Sequence, residues 1–182
     1  MPPDEPDDRE AGQPAGAPPA LTIQRLAEAE HPEAAAIVSR SVYAFWAGHY
    51  GERVIRLVSD QNAPAWIRKR SLKQEDYLAR VAGQPAGYAA VKRNEIGHLF
   101  VDPDWSRRGV GSALASFCCR WIAERGHDKA MVYASLNATG FYEKQGFRAV
   151  GTEAFELQPG VVLDAILMEK SLKVCEHGGE RR

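Results

Sequence analysis

The chain has 182 residues and a formal net charge of −1, and 45% of its residues are hydrophobic, which is enough for the core of one domain. The balanced charge and the lack of a basic cluster argue against a nucleic-acid binder, and no run approaches the roughly 20 apolar residues of a membrane span. Three cysteines do not make a disulfide framework, so we expect a reducing, cytoplasmic environment. The N-terminus lacks a basic region followed by an apolar one, so we expect no secretory signal, and we expect no metal site.

The two ends of the chain differ in composition from the rest. Residues 1–20 are rich in Pro, Gly, Ala and acidic residues and carry a charge of about −4, which leaves a mildly basic remainder. Such a segment cannot bury enough apolar surface to offset its ordering entropy, so we predict a disordered tail. We predict a folded domain over residues 21–172 and a flexible polar end over residues 173–182.

The first predicted elements are a strand and two helices. Apolar and polar residues alternate over residues 21–26, which indicates a strand. Residues 34–46 carry apolar side chains at helical spacing and predict a helix that ends near Gly48. A second helix is predicted over residues 52–59, and a further amphipathic segment around residues 65–70.

Strands dominate the middle of the chain, and a β–α–β pattern follows. Residues 77–82 and 86–92 flank Gly83-Gln84-Pro85, which predicts a hairpin, and the next strand covers residues 95–101. A helix with a regular apolar stripe then extends to Gly126. The last predicted elements are a strand at 130–134, a short helix at 138–144, and strands at 147–150 and 161–168.

This order of elements predicts an α/β fold with a mixed sheet. A three-stranded meander precedes a β–α–β crossover, and consecutive strands of a meander are antiparallel whereas a crossover joins parallel strands. Helices before and after the meander are expected to cover both faces of the sheet.

The most informative segment is Trp-Ser-Arg-Arg-Gly-Val-Gly-Ser-Ala-Leu-Ala, at residues 105–115. Its two glycines lie where a turn gives way to a helix, whose first amides have no intrahelical partner and whose dipole favours an anion. This predicts a ligand that carries phosphate. The chain has no Gly-Lys pair, which excludes a P-loop, and Leu114 stands where a dinucleotide fingerprint needs a third small residue.

Two segments together resemble a known family. Leu99-Phe100-Val101-Asp102-Pro103, followed by Arg107-Arg108-Gly109-Val110-Gly111-Ser112-Ala113-Leu114, is similar to the acetyl-coenzyme A loop of the GNAT family of N-acetyltransferases. Ser135-Leu136-Asn137-Ala138-Thr139-Gly140-Phe141-Tyr142-Glu143-Lys144-Gln145-Gly146-Phe147 resembles the second signature of that family. Both motifs occur in the matching order of elements, so the resemblance covers about residues 21–172.

The resemblance implies a central, mostly antiparallel sheet that splays at its parallel strand pair and receives the pantetheine arm of acetyl-coenzyme A, the cosubstrate. Residues implied to bind it lie on the strand, the loop and the following helices: Leu99, Phe100, Val101, Arg107, Arg108, Gly109, Val110, Gly111, Ser112 and Asn137. The arm is expected to pair with free backbone groups of Leu99 and Val101 as an added strand. The family's usual Gln or Arg at the start of the loop is replaced by Ser106, and Arg107 or Arg108 could supply the missing charge.

By resemblance, an amine attacks the acetyl group directly, which requires a base for the amine and an acid for the leaving thiolate. An alkyl amine with a pKa of about 10.4 is almost fully protonated at neutral pH. Tyr142 matches the family's general acid, and Glu95 is the best candidate for the base. Regular alternation would place Glu95 on one face of its strand with Gly97, Leu99 and Val101, and Ile96, His98 and Phe100 on the other. His98 is therefore the rival base if the cleft lies on its side.

The acceptor is expected to be a primary amine of a small molecule or peptide, and the sequence does not specify it further. Trp46, His49 and Tyr50 end the first long helix, where the family builds its acceptor pocket, and are weak candidates for substrate contact. The lack of an acidic cluster on the first helices argues against a polycation. The alternative function is a non-catalytic, regulatory acyl-coenzyme A-binding module, and homodimers are frequent in the family.

Overall fold

The computed structural model describes residues 20–173 of the chain. The tails predicted for residues 1–20 and 173–182 therefore lie outside the described residues, apart from one residue of each. The described elements, in chain order, are β1 (Leu21–Arg25), α1 (His31–Phe45), α2 (Glu52–Asp60), α3 (Pro64–Ser71), β2 (Glu75–Val81), β3 (Gln84–Lys92), β4 (Glu95–Val101), α4 (Val110–Glu124), β5 (Lys129–Ser135), α5 (Thr139–Lys144), β6 (Arg148–Gln158) and β7 (Val161–Ser171).

Seven strands form one mixed sheet in the order β1-β2-β3-β4-β5-β7-β6, which confirms the predicted fold class. Every neighbouring pair is antiparallel except β4 and β5. That parallel pair is joined only where Glu95 faces Met131 and Ile96 faces Val132. Beyond these two positions the strands separate, so the sheet opens between the last residues of β4 and of β5.

Helices cover both faces of the sheet, as predicted. The core on one face contains the apolar stripe of α4, including Leu114, Cys118 and Ile122, all fully buried. The core on the other face contains Ile37 and Val38 of α1 together with apolar residues of α2 and α3. Burying such side chains stabilises the fold by about 1.5–3 kcal/mol each, which fixes the helices on either side of the open part of the sheet.

Strand β4 contains a β-bulge at Gly97. Val91 of β3 pairs with Ile96, and the next residue, Ala90, pairs with His98, so Gly97 has no partner of its own on β3. A bulge inserts one residue into the strand, and the alternation of side chains between the two faces shifts after it.

Because of the bulge, the side chains of β4 are divided between the two faces of the sheet differently from the prediction. Ile96 packs with Leu99 and Val101 in the core beneath α4, whereas regular alternation had grouped it with His98. Glu95 precedes Ile96 and takes the opposite face, which is the face of His98. Glu95 and His98 therefore lie on the same side of the sheet, towards α1–α3, and the prediction that separated them was wrong.

Strand β6 is longer than predicted. It was expected to end at residue 150, but it extends to Gln158 and forms a long hairpin with β7. Most of its residues are exposed because β6 is the edge of the sheet, so its sequence is too polar for a clear hydrophobic signal. The hairpin carries its side chains beside the opening between β4 and β5.

Candidate active site

A cavity of about 530 Å³ lies where β4 and β5 separate. Its walls come from both sides of the sheet. Glu95, His98 and Phe100 contribute from β4, Trp46 and Tyr50 from the end of α1, and Tyr142 from α5 on the opposite side. Because the parallel strands part here, the cavity passes through the plane of the sheet.

The start of α4 presents a continuous run of free backbone amides beside this cavity. None of the amides of residues 107–112 makes a well-formed hydrogen bond to a backbone carbonyl of the described residues, and the first such bond of the helix is Ala113 N to Gly109 O at 2.9 Å. Gly109, at the N-cap, has no side chain that could satisfy them, and the first turn has no acidic residue. Amides left free at the positive end of a helix dipole favour an anion.

The shape of this loop depends on its two glycines. Gly109 has φ +84°, a left-handed conformation that costs other residues about 1–2 kcal/mol. Gly111 lies against α5, because a Cβ atom there would be 3.3 Å from the ring of Phe141. Arg107 is also left-handed, with φ +57°. Gly111 places the start of α4 next to α5, the helix that carries Tyr142.

A salt-bridge cluster ties the loop to the opposite face of the sheet. Nε of Arg40 on α1 lies 3.0 Å from Asp102, and its Nη2 lies 2.7 Å from Asp104. Asp102 is buried and accepts a bond from the amide of Asp104. This network fixes the turn between β4 and α4, while the guanidinium of Arg108 lies over the ring of Trp105.

Tyr142 is buried between the two signature segments. Its ring packs edge-to-face on Phe141 and Phe147, with centroids 5.0 and 5.4 Å away. Burial raises the pKa of its hydroxyl, and the neighbouring Cys118 and Cys119 raise it further. The hydroxyl therefore stays protonated at physiological pH, and no described residue hydrogen-bonds it.

Asn137 and the end of β4 contribute unpaired polar groups. Oδ1 of Asn137 is buried and has no hydrogen-bond partner in the described part of the chain. Leu99 and Phe100 line the cavity, and Val101 packs in the core beneath α4. No β5 residue pairs with β4 beyond Ile96, so this stretch has an open edge that could accept an extended ligand as a further strand.

His98 occupies the side of the cavity that faces α1–α3. Its ring lies between Tyr88 and Phe100, with centroids 6.1 and 6.2 Å away. Burial lowers the pKa of His98 to about 4, and the positive charge of Arg70 adds to this effect. The imidazole is therefore neutral at physiological pH, and its buried Nδ1 has no hydrogen-bond partner among residues 20–173.

The three weak candidates from the end of α1 differ in position. Trp46 and Tyr50 line the cavity and pack together with ring centroids 4.7 Å apart. The hydroxyl of Tyr50 donates to Asp164 O at 2.7 Å and accepts from the amide of Leu136 at 2.8 Å, so it joins the loop after α1 to β7 and to the start of the second signature. His49 is exposed, and the structure does not bring it to the cavity.

Sequence reasoning missed two walls of the cavity. The hairpin of β6 and β7 contributes Phe155, Leu157 and Leu163, and α2 and α3 contribute polar groups that include Asn62 and Arg70. The alternation of Phe155 and Leu157 with polar residues could have signalled a longer β6. Nothing in the sequence around Arg70 signals its position, because the packing of α3 against α1 decides it.

Among residues 20–173, no helix is both long and apolar enough to cross a bilayer, and no group of three His, Cys, Asp or Glu side chains could hold a metal ion. The polar side chains that line the cavity include Glu95, His98 and Tyr142, together with Asn62 from the turn after α2 and Arg70 from α3.

An open parallel strand pair next to a helix that begins with unpaired amides defines an acyl-coenzyme A-dependent acyltransferase fold. Residues 47–161 match the family model described as an acetyltransferase (GNAT) domain. The chain therefore belongs to the GNAT family, and it is an N-acetyltransferase that uses acetyl-coenzyme A.

Several known proteins are similar over most of the chain. An uncharacterized N-acetyltransferase from Escherichia coli, YafP, is 29% identical over 136 residues, which cover 75% of this chain and 87% of that protein. The peptidyl-lysine N-acetyltransferase YjaB from Salmonella typhimurium is 28% identical over 72% of this chain and 86% of its own length. The crystal structure of a GCN5-related N-acetyltransferase from Rhodopseudomonas palustris superposes with a TM-score of 0.78 at 28% identity, covering 88% of this chain and 99% of that one.

Proposed function

We propose that this protein transfers the acetyl group of acetyl-coenzyme A directly to a primary amine of a small molecule or a peptide. The observation that carries the proposal is the continuity of three features: the free amides of residues 107–112, the open edge of β4, and the cavity between Glu95 and Tyr142. An extended ligand with phosphates at one end and a thioester at the other fits this arrangement.

The chain's own groups would bind the cosubstrate at three points. The amides from Arg107 to Ser112 would hold the pyrophosphate, and the backbone of Leu99 and Val101 would hold the pantetheine arm. Asn137 adds a buried acceptor without a partner, which suits an amide N–H of the same arm. When bound, acetyl-coenzyme A supplies the activated carbonyl that the amine attacks.

Glu95 is the proposed base. A primary amine enters mostly as an ammonium ion, which an anionic carboxylate attracts and can deprotonate, directly or through one water. His98 lies on the same face, but it is neutral and close to the positive charge of Arg70, which repels an ammonium. Glu95 therefore suits the positioning of the amine better than His98 does.

Tyr142 is the proposed acid for the leaving thiolate. It reaches the cavity from the α5 side of the sheet, opposite to Glu95 and next to the loop that would hold the phosphates. Its raised pKa keeps the hydroxyl protonated at physiological pH, so it can donate a hydrogen bond to the thiolate as negative charge develops on the sulfur. The base and the acid would thus act from opposite faces of the sheet, with the reacting carbonyl in the gap between them.

A coenzyme A-release assay with a panel of primary amines and lysine peptides tests this function. We expect turnover with at least one class of acceptor and none without acceptor. The alternative, a non-catalytic acyl-coenzyme A-binding module, predicts tight binding of acetyl-coenzyme A and no release with any acceptor. The intact Tyr142 and Glu95 favour the enzyme, because a binding module requires neither.

Two finer expectations accompany this function. Cys118 and Cys119 are buried free thiols, and burial raises the pKa of both, which suits an unreactive role in a reducing cytoplasm. A homodimer is the expectation from the family, and light scattering of the purified full chain measures it.

A further inference from the structure

Arg70, at the end of α3, is held in a fixed orientation at the cavity. Its Nη1 donates to Gln61 O at 2.7 Å, and its Nη2 donates to Asn62 Oδ1 at 2.6 Å. Asn62 is itself buried and donates to Val58 O at 2.7 Å. The guanidinium is therefore oriented by neutral groups of α2 and the turn that follows it, before any ligand arrives.

This cation has no anionic partner within the described residues. Arg70 takes part in none of their salt bridges, and its buried Nε has no hydrogen-bond partner. The nearby carboxylate of Asp76 accepts bonds from Ser71, Gln74 and Tyr88 instead. A half-buried positive charge without a counter-ion is costly, and an anionic ligand removes that cost.

His98 supplies a second unsatisfied group in the same cavity. Its Nδ1 is buried and unpaired among residues 20–173, and the charge of Arg70 acts directly on its titration. A neutral imidazole can donate one hydrogen bond, and Nη1 and Nη2 of Arg70 each keep one N–H beyond the bonds described above. Donors on a planar guanidinium suit the two oxygens of a carboxylate.

The surface that leads to Arg70 is also basic. A second cavity, of about 470 Å³, shares Arg70 and Gln61 with the first, and among residues 20–173 Lys69, Lys73 and Lys92 line it without any acidic residue. Clustered charges of one sign attract an oppositely charged ligand and raise its local concentration. Of the described residues that line the first cavity, Glu95 alone is a carboxylate, so a ligand with an amine and a carboxylate meets a partner for each charge.

We propose that Arg70, assisted by His98, binds a carboxylate of the acceptor, so that the preferred acceptor is a primary amine that also carries a carboxylate. This inference rests on the proposed acetyltransferase function and names its substrate class. The carboxylate comes either from a small amino acid-like molecule or from an acidic side chain beside a lysine in a peptide, and the experiment compares both sources.

The first experiment uses matched acceptors at saturating acetyl-coenzyme A. 5-Aminopentanoate and its carboxamide differ in charge at the far end while the amine is almost unchanged, and capped lysine peptides with a neighbouring Glu or Gln form the second pair. We expect the wild-type protein to prefer the acidic member of at least one pair by roughly 10- to 100-fold in kcat/KM, the size of a charge-assisted hydrogen bond. Equal rates within both pairs would overturn the inference without any variant.

Arg70→Met tests the residue, and Arg70→Lys tests the need for a planar donor. We expect Arg70→Met to abolish the preference mainly through KM, and Arg70→Lys to restore only part of it. Arg68→Met is the matched control, because Arg68 lies on the same helix, is largely exposed and pairs with Glu28 away from the cavity. A preference that survives in Arg70→Met, or disappears equally in Arg68→Met, would contradict the assignment.

A binding measurement separates this inference from the proposed function. Pentanoate has the carboxylate but no amine, so its binding to the coenzyme A complex can be followed through the imidazole resonances of His98 without any turnover. We expect a saturable shift in the wild-type protein and in Arg68→Met, and no saturation in Arg70→Met. If no amine is acetylated but pentanoate still binds through Arg70, the proposed function fails and the carboxylate site stands. If amines are acetylated and pentanoate does not bind, the proposed function stands and the carboxylate site fails.

Discussion

Protonation of His98 should destabilise the protein on acidification. The pKa of His98 is lowered to about 4 from its usual 6.5, so between these values the unfolded chain binds a proton that the folded chain does not. Stability is therefore lost as pH falls through 6.5 and levels off below about 4. The gap corresponds to a total of about 3 kcal/mol, most of which is lost by about pH 4.5.

The assay is urea unfolding of the wild-type protein and of His98→Phe at about pH 7 and pH 4.5. Phe retains the aromatic contacts with Tyr88 and Phe100 but cannot bind a proton. Comparing the two proteins cancels the titration of all other groups, and we expect the wild type to lose about 2–3 kcal/mol more than the variant. The exposed His49→Gln should behave as the wild type does. Equal acid sensitivity of wild type and His98→Phe would refute the buried, neutral state of His98.

The remaining predictions concern the proposed acid and base and the loop from Arg107 to Ser112. Glu95→Gln should lower kcat by about 10²- to 10⁴-fold while the dissociation constant of coenzyme A stays unchanged; an activity within tenfold of the wild type would remove Glu95 as the base. Tyr142→Phe preserves the packing on Phe141 and Phe147, so we expect unchanged thermal stability and a kcat about 10²-fold lower. Gly109→Ala should weaken coenzyme A binding in calorimetry, because it strains the left-handed residue that orients the amides. Gly160→Ala controls for that strain, since Gly160 has φ +74° and open surroundings in the β6–β7 turn, and equal affinities in both variants would count against the loop.

The loop from Arg107 to Ser112 and the strands around it could be predicted because the sequence patterns that indicate them are local. The bounds of β4 match the prediction, and α4 begins directly after Gly109, as the sequence indicates. Both depend on short-range rules: alternation in a strand, a left-handed glycine before a helix, and a regular apolar stripe.

The faces of β4 were mispredicted because a bulge is a property of a strand pair. Gly97 in the middle of a strand is a known signal for a bulge, but whether the partner strand skips a residue depends on the pairing with Ala90 and Val91. That single inserted residue places Glu95 and His98 on one face of the sheet, towards α1–α3.

The side of the cavity that faces α1–α3 could not be derived from sequence because it is built by packing between distant segments. Arg70 reaches the cavity from α3, and Phe155 reaches it from a strand that was expected to be shorter. Their meeting depends on how α3 packs against α1 and on the full length of the β6–β7 hairpin, which are tertiary contacts without a local pattern.

Amide hydrogen exchange with and without coenzyme A tests the central claim most directly, because it reports on the backbone groups that would hold the ligand. We predict that saturating coenzyme A slows exchange at the amides from Arg107 to Ser112 and at the open end of β4, Leu99 to Val101. Unchanged exchange across both segments at saturating coenzyme A, or protection confined to other parts of the chain, would contradict this account.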